Sequence, residues 1–240
     1  LDSIAWLLNL RGNDILYTPL NLAYVIITPD TKVELFVDEE KILDIKNNLS
    51  KFSNFHSIKS INHFIKNLSS NVTIGIDRIR TPYIFEKICQ ENSLTFKYCE
   101  DPCLYPKAQK NLVELQGARN ANIRDGVSIT KLLYWIKNEI EINKTDEIKI
   151  AQKIYSLRKK NDLFYSPSFE TISAVDQHAA LPHYRITRNS NLPFQKDSIY
   201  LIDSGAQYLD GTTDITRTVI LGSPTKEQKD RFTRVLKGHI

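Results

Sequence analysis

The chain has 240 residues, 41% hydrophobic and 25% charged, a globular composition with enough apolar content for a sizeable core. Its 32 basic and 28 acidic residues are interleaved, leaving a net charge of +4 with no basic stripe, which argues against a nucleic-acid partner. No apolar run reaches the ~18 residues that span a bilayer, and the three cysteines (Cys89, Cys99 and Cys103) are too few for a disulfide framework, so the expectation is a cytoplasmic protein with reduced, buried thiols and no membrane partner.

In chain order, residues 2 to 10 form an amphipathic pattern that Asp2 or Ser3 can cap and Arg11-Gly12 can end. Ala23 to Ile27 and Lys32 to Val37 are β-rich and flank Thr28-Pro29-Asp30-Thr31, which predicts a hairpin. Helices are expected over Glu39 to Leu49 and Ser57 to Leu68, the second placing His56 and His63 in a solvated polar region. A strand over Asn71 to Asp77, a helix over Pro82 to Asn92 and a strand over Leu94 to Tyr98 complete an α/β domain. Its boundary is expected near residue 105, at the two prolines of Asp101 to Pro106.

The second region opens with helical periodicity. Leu112, Leu115, Ala118, Ala121 and Ile123 are followed by Ile129, Leu132, Leu133 and Ile136, with Gly126 marking either a break or close packing. Residues 147 to 160 predict a further helix. From residue 171 the chain is β-like and loop-rich, with strands over Ser198 to Ile202 and Thr213 to Leu221. Asp210-Gly211 between them signals a hairpin. Pro224 to Leu236 reads as a helix capped by Thr225, with Glu227 in its first turn.

Two carboxylates stand out. Asp203 directly follows an apolar strand, and Asp214 is expected inside the next one. With an even-numbered loop, every facing pair joins an odd to an even residue, so Asp203 and Asp214 point to the same face. Two ionised carboxylates there repel, and they need a cation or a proton. Hard divalent ions such as Mn²⁺ or Mg²⁺ suit such oxygens. The alternative is that both aspartates cap turns or sit exposed beside Asp210-Gly211.

The segment DSGAQYLDGTTDITRT, continuing to PTKEQKDRFTRVLKGHI, resembles the metal-binding hairpin of Xaa-Pro aminopeptidases (aminopeptidase P, three-domain branch) of the pita-bread metallopeptidases. LDSIAWLLNLRGNDI, NLVELQGARNANIRDGVSITKLLYWI and AALPHY agree with it. The resemblance implies a creatinase/prolidase-like α/β domain over 1–105 and the first part of a pita-bread (α+β) catalytic domain over 106–240. Asp203 then matches a ligand of one metal and Asp214 a ligand bridging two divalent ions, most in keeping with Mn²⁺. His183 matches a histidine that contacts substrate near the scissile bond; His178 and His239 match no functional position. Arg11 and Asp14 are expected on the active-site side. The implied activity is removal of the residue before proline by hydroxide generated at the dinuclear centre. The partners implied are peptides with proline second, with a homodimer as the complete form.

The chain contains no Met, so it is expected to be incomplete at both ends and poorly active alone, the family's remaining His and Glu ligands falling past Ile240. Rival readings are a prolidase-like dipeptidase and a non-catalytic binding module or inactive split-gene product.

Overall fold

The computed structural model describes residues 1–141 and 144–240. Two compact units result, Leu1–Lys110 and Asn111–Ile240.

In the first unit, α1 (Asp2–Leu8) ends where Asn9 takes a left-handed conformation, φ 49°. Arg11 donates to the Ala5 and Leu10 carbonyls at 2.6 and 3.2 Å, satisfying acceptors at the helix end. Asp14 accepts from Lys41 at 2.7 and 2.8 Å and from the Leu22 amide at 2.7 Å. Both residues singled out here in the sequence are thus held by local partners.

The hairpin of β1 (Tyr24–Ile27) and β2 (Val33–Val37) forms as expected. Strand β2 is the spine of the unit. Leu35 and Val37 pack with Leu8, Leu10, Ala23, Ile42 and Leu49, while Phe36 packs with Ile61, Ile65, Phe85 and Ile88.

A strand buried on both faces needs partners for the backbone groups on both edges. Two departures from the expected elements lie beside it, and the need for edge partners accounts for the second. Residues 39–49 are a 3₁₀ turn (Glu39–Ile42) and the short α2 (Lys46–Leu49) rather than one helix. Between the two expected helices runs a strand the sequence did not suggest, β3 (Ser53–Ser57), parallel to β2, and α3 (Ile61–Lys66) begins later than the expected Ser57. His56 therefore lies in a strand, not a solvated helix: it is 2.5 Å from Glu34 and stacks on Phe36 at 4.8 Å. His63 lies on α3 and is exposed.

Parallel β4 (Thr73–Ile76) and β5 (Thr95–Tyr98) flank α4 (Tyr83–Glu91), the expected strand–helix–strand order. The two-proline segment is folded rather than an open linker, containing α5 (Leu104–Ala108). Cys89 and Cys103 are buried and free, but Cys99 is exposed, contrary to the expectation of three buried thiols.

The second unit begins with α6 (Leu112–Asn138), a helix of 27 residues started by a reciprocal cap between Asn111 and Glu114. Gly126 neither breaks it nor packs closely, since a Cβ there would meet nothing within 4 Å. Asp146 caps α7 (Glu147–Arg158). Ile129, Leu132 and Ile136 of α6 and Ile150 and Ile154 of α7 form the core with Val175, Phe194, Tyr200, Ile202 and Leu221.

Two three-stranded antiparallel sheets share this unit. One has the order β11 (Ile215–Ile220), β8 (Ile199–Ser204), β7 (Ile172–Val175); the other has β10 (Gly211–Thr212), β9 (Ala206–Tyr208), β6 (Phe164–Pro167). Strand β6 precedes the point at which the sequence turned β-like. Thr225 and Gln228 cap the terminal α8 (Lys226–His239), as the sequence suggested for Thr225.

Candidate metal centre

The expected single hairpin over 198–221 is divided between the two sheets. Its outer part is the β8–β11 pair and its tip the β9–β10 pair, with the change of sheet at Gly205 on one arm and Thr213-Asp214 on the other. Asp214 therefore lies just before β11, not within a strand. The register nonetheless runs through unbroken. Thr216 faces Asp203, Ile215 faces Ser204 and Gly211 faces Tyr208, so facing pairs join odd to even residues throughout.

The turn itself is Leu209-Asp210, and Gly211 is drawn into the ladder opposite Tyr208. Close approach to α6 explains this. A Cβ on Gly211 would lie 2.9 Å from that of Ala121, and one on Gly117 would lie 2.2 Å from the Asp210 carbonyl oxygen. Arg124 of α6 then holds Asp210 through two parallel hydrogen bonds of 2.8 and 3.0 Å.

Along β8, Tyr200, Ile202 and Ser204 are buried and Asp203 points to the other, half-buried face. Asp214 comes to Asp203 there. Although Asp214 is largely exposed, its carboxyl is held above the ordinary carboxylate range, first by partial desolvation, then by the charge of Asp203 and a hydrogen bond with it. Oδ1 of Asp203 is buried and has no hydrogen-bond partner among the described residues. A buried carboxylate oxygen without a donor is costly and is a ready acceptor for a cation. Two adjoining carboxyls of this kind suit a hard divalent ion. They are a pair only: among the described residues no cluster of three or more His, Cys, Asp and Glu is present.

The third residue singled out in the sequence is carried by a different element. His183 is exposed, in a left-handed conformation with φ 53°, on the long connection between β7 and β8. Asp176 anchors the start of that connection, accepting from the Ser198 hydroxyl and the Ile199 amide at 3.0 and 2.8 Å, at the end of β8 away from Asp203. No hydrogen bond or ion pair joins His183 to either aspartate among the described residues.

In this second unit two buried carboxylates escaped the sequence reading. Glu147, fully buried, accepts from the amides of Val175 and Leu192, from the Tyr184 hydroxyl and, at 2.9 Å, from Nδ1 of His178. His178 is thus held in a buried network, stacked on Tyr184 at 4.3 Å, rather than being a plain loop residue. Asp125, also fully buried, pairs with Arg158. A signal for Asp125 was present: it falls on the apolar stripe of Ala121, Ile129 and Leu132. Glu147 gave none beyond an acidic residue in a first helical turn.

These elements define a class: a creatinase/prolidase-type α/β domain followed by a pita-bread unit. Residues 1–114 match the Creatinase/Prolidase N-terminal domain, and residues 116–240 match metallopeptidase family M24. The chain belongs to metallopeptidase family M24. A probable Xaa-Pro aminopeptidase P of Paracoccidioides brasiliensis is 39% identical, the match covering 100% of this chain and 41% of that protein. Xaa-Pro aminopeptidase 1 of Dictyostelium discoideum is also 39% identical, over 100% of this chain and 38% of its own length. The solved X-prolyl aminopeptidase of Caenorhabditis elegans, described as a cytosolic enzyme with a di-nuclear active site, superposes with a TM-score of 0.83 at 34% identity, over 95% of this chain and 38% of that one. The chain spans about two-fifths of the length of the curated relatives it matches. No helix among the described residues is long and apolar enough to cross a membrane.

Proposed function

We propose that this chain belongs to a metal-dependent Xaa-Pro aminopeptidase, with Asp203 and Asp214 as carboxylate ligands of a dinuclear centre and Mn²⁺ as its metal. The observation that carries this reading is the adjoining pair of carboxyls on one hairpin, one with a buried oxygen that no donor among the described residues satisfies. Divalent ions bound there would supply Lewis-acid polarisation of the carbonyl before proline and a nucleophile at neutral pH. The chain's own part is to present paired negative charge on a half-buried sheet face, where cation binding relieves the repulsion between Asp203 and Asp214.

His183 supplies a donor to bound peptide near the scissile bond, a role that rests on the AALPHY segment. A cytoplasmic location is supported by the description of the C. elegans relative.

The test uses the protein as its source makes it. Loaded with Mn²⁺, it should release the first residue of tripeptides of the form Xaa-Pro-Xaa. Asp203→Asn should lose most bound Mn²⁺ and the cleavage with it. Release from Xaa-Pro dipeptides alone would favour the dipeptidase reading, and full Mn²⁺ occupancy in Asp203→Asn would remove Asp203 from the site.

A further inference from the structure

The point where the hairpin changes sheet is tied to one buried ion pair. Asp125 is fully buried and Arg158 is 2% exposed. Oδ1 of Asp125 accepts from Nε of Arg158 at 2.6 Å and from the Tyr208 hydroxyl at 2.9 Å. Oδ2 accepts from Nη2 of Arg158 at 2.9 Å and from the Thr213 hydroxyl at 2.8 Å. The remaining reach of Arg158 goes to the backbone just past Asp203: Nη1 donates to the Gly205 carbonyl at 3.1 Å and Nη2 to that of Ser204 at 3.3 Å. The Thr213 hydroxyl in turn accepts from the Ala206 amide at 3.1 Å. One ion pair therefore grips both arms of the hairpin, Arg158 immediately after Asp203 and Asp125 immediately before Asp214.

The backbones here are too close for side chains to set the spacing. A Cβ on Gly205 would lie 2.0 Å from the Thr213 carbonyl oxygen and 2.2 Å from the Ser168 hydroxyl. A buried ion pair is a poor device for stability, because desolvation offsets its attraction and apolar replacements are often neutral. Its use here is geometric. Arg158 and Asp125 present a rigid fork that meets two carbonyls and two hydroxyls at fixed positions.

We propose that Asp125, Arg158 and Thr213 form the positioning unit of the carboxylate pair, setting the separation of Asp203 and Asp214 and hence the affinity of the site for divalent cations. This rests on the reading of those two aspartates as metal ligands. Groups that orient metal ligands from behind commonly change affinity by about 10- to 100-fold when removed.

The experiment is Mn²⁺ binding by titration calorimetry, with electron paramagnetic resonance of the loaded protein, on the protein as its source makes it. Thr213→Val keeps the side-chain shape and removes the hydroxyl; its Mn²⁺ affinity should fall about tenfold, and a spin-coupled Mn²⁺ pair signal should give way to that of uncoupled ions. Thr213→Ser restores the hydroxyl and should recover both. Parental affinity in a folded Thr213→Val, or no recovery in Thr213→Ser, overturns the proposal. If Thr213→Val does not fold, Arg158→Lys carries the test: it keeps the charge but cannot hold Asp125 and the two carbonyls together, and parental affinity there overturns the proposal equally. Asp203→Asn separates the two ideas. If it binds Mn²⁺ as the parent does, the metal reading itself fails; if it does not while Thr213→Val is unaffected, only the positioning role fails.

Discussion

Glu147 shows how much one residue can hold. It lies in the first turn of α7, yet its carboxylate is directed inward and takes donors from β7, from the connection carrying His183 and from Leu192. An anion with four donors is well satisfied, but its removal takes the acceptor from the Val175 and Leu192 amides and from His178. Glu147→Leu should therefore cost about 3 kcal/mol or more in denaturant unfolding. Amide hydrogen exchange over 176–192 should rise more than elsewhere, and uniform exchange would show that the connection is held by other contacts. His183 gives the second residue-scale prediction. Its neighbour Tyr184 is buried against Glu147 while His183 itself projects outward with φ 53°, a conformation that non-glycine residues adopt at some cost. His183→Ala should lower kcat/KM for Xaa-Pro peptides and leave Mn²⁺ content unchanged; unaltered kinetics would remove it from the reaction.

At the scale of elements, the meeting of α6 with the hairpin tip is decided by small residues and one ion pair. Gly117 and Gly211 let the backbones approach, Arg124 holds Asp210 with both nitrogens, and the guanidinium also lies 4.9 Å from the Tyr208 ring. The hydrogen bonds from Arg124, followed by its charge, hold the Asp210 carboxyl below its ordinary value of 3.8. The sign follows from linkage: a depressed carboxylate pKa gives stability that is complete above the ordinary value and is lost as pH falls through the lower, folded-state value. Both side chains are partly exposed, so about 1 kcal/mol is the expected size. Asp210→Asn should lose that amount at neutral pH and show a shallower loss of stability in acid. An unchanged acid limb in urea titrations would mean that the pair contributes nothing.

At the scale of the molecule, α8 stands out. It buries no residue, and Phe232, Val235 and Leu236, which share a face by their spacing, are 57%, 75% and 46% exposed. An apolar face of this kind favours association. Phe232→Glu combined with Val235→Lys should shift the 240-residue chain toward monomer in sedimentation velocity, and unchanged association would locate the sticky surface elsewhere.

Much of this architecture was legible from the chain alone, because its signals are local. A β-rich run identified β2 and an apolar run β8, the Thr225 cap marked α8, and parity of the facing residues pointed Asp203 and Asp214 to one face. What the sequence could not decide was set by partners far along the chain. Ser53–Ser57 has no strand-like pattern, yet it becomes β3 because both edges of β2 must be paired. The hairpin divides between two sheets, and Asp214 leaves its strand, at the point where Asp125 and Arg158, 33 residues apart, are buried together. Periodicity reports which face a residue takes. Whether a charge on that face meets water or a distant counter-charge is decided only when the elements pack, since the cost of desolvating it is met by groups that no local pattern contains.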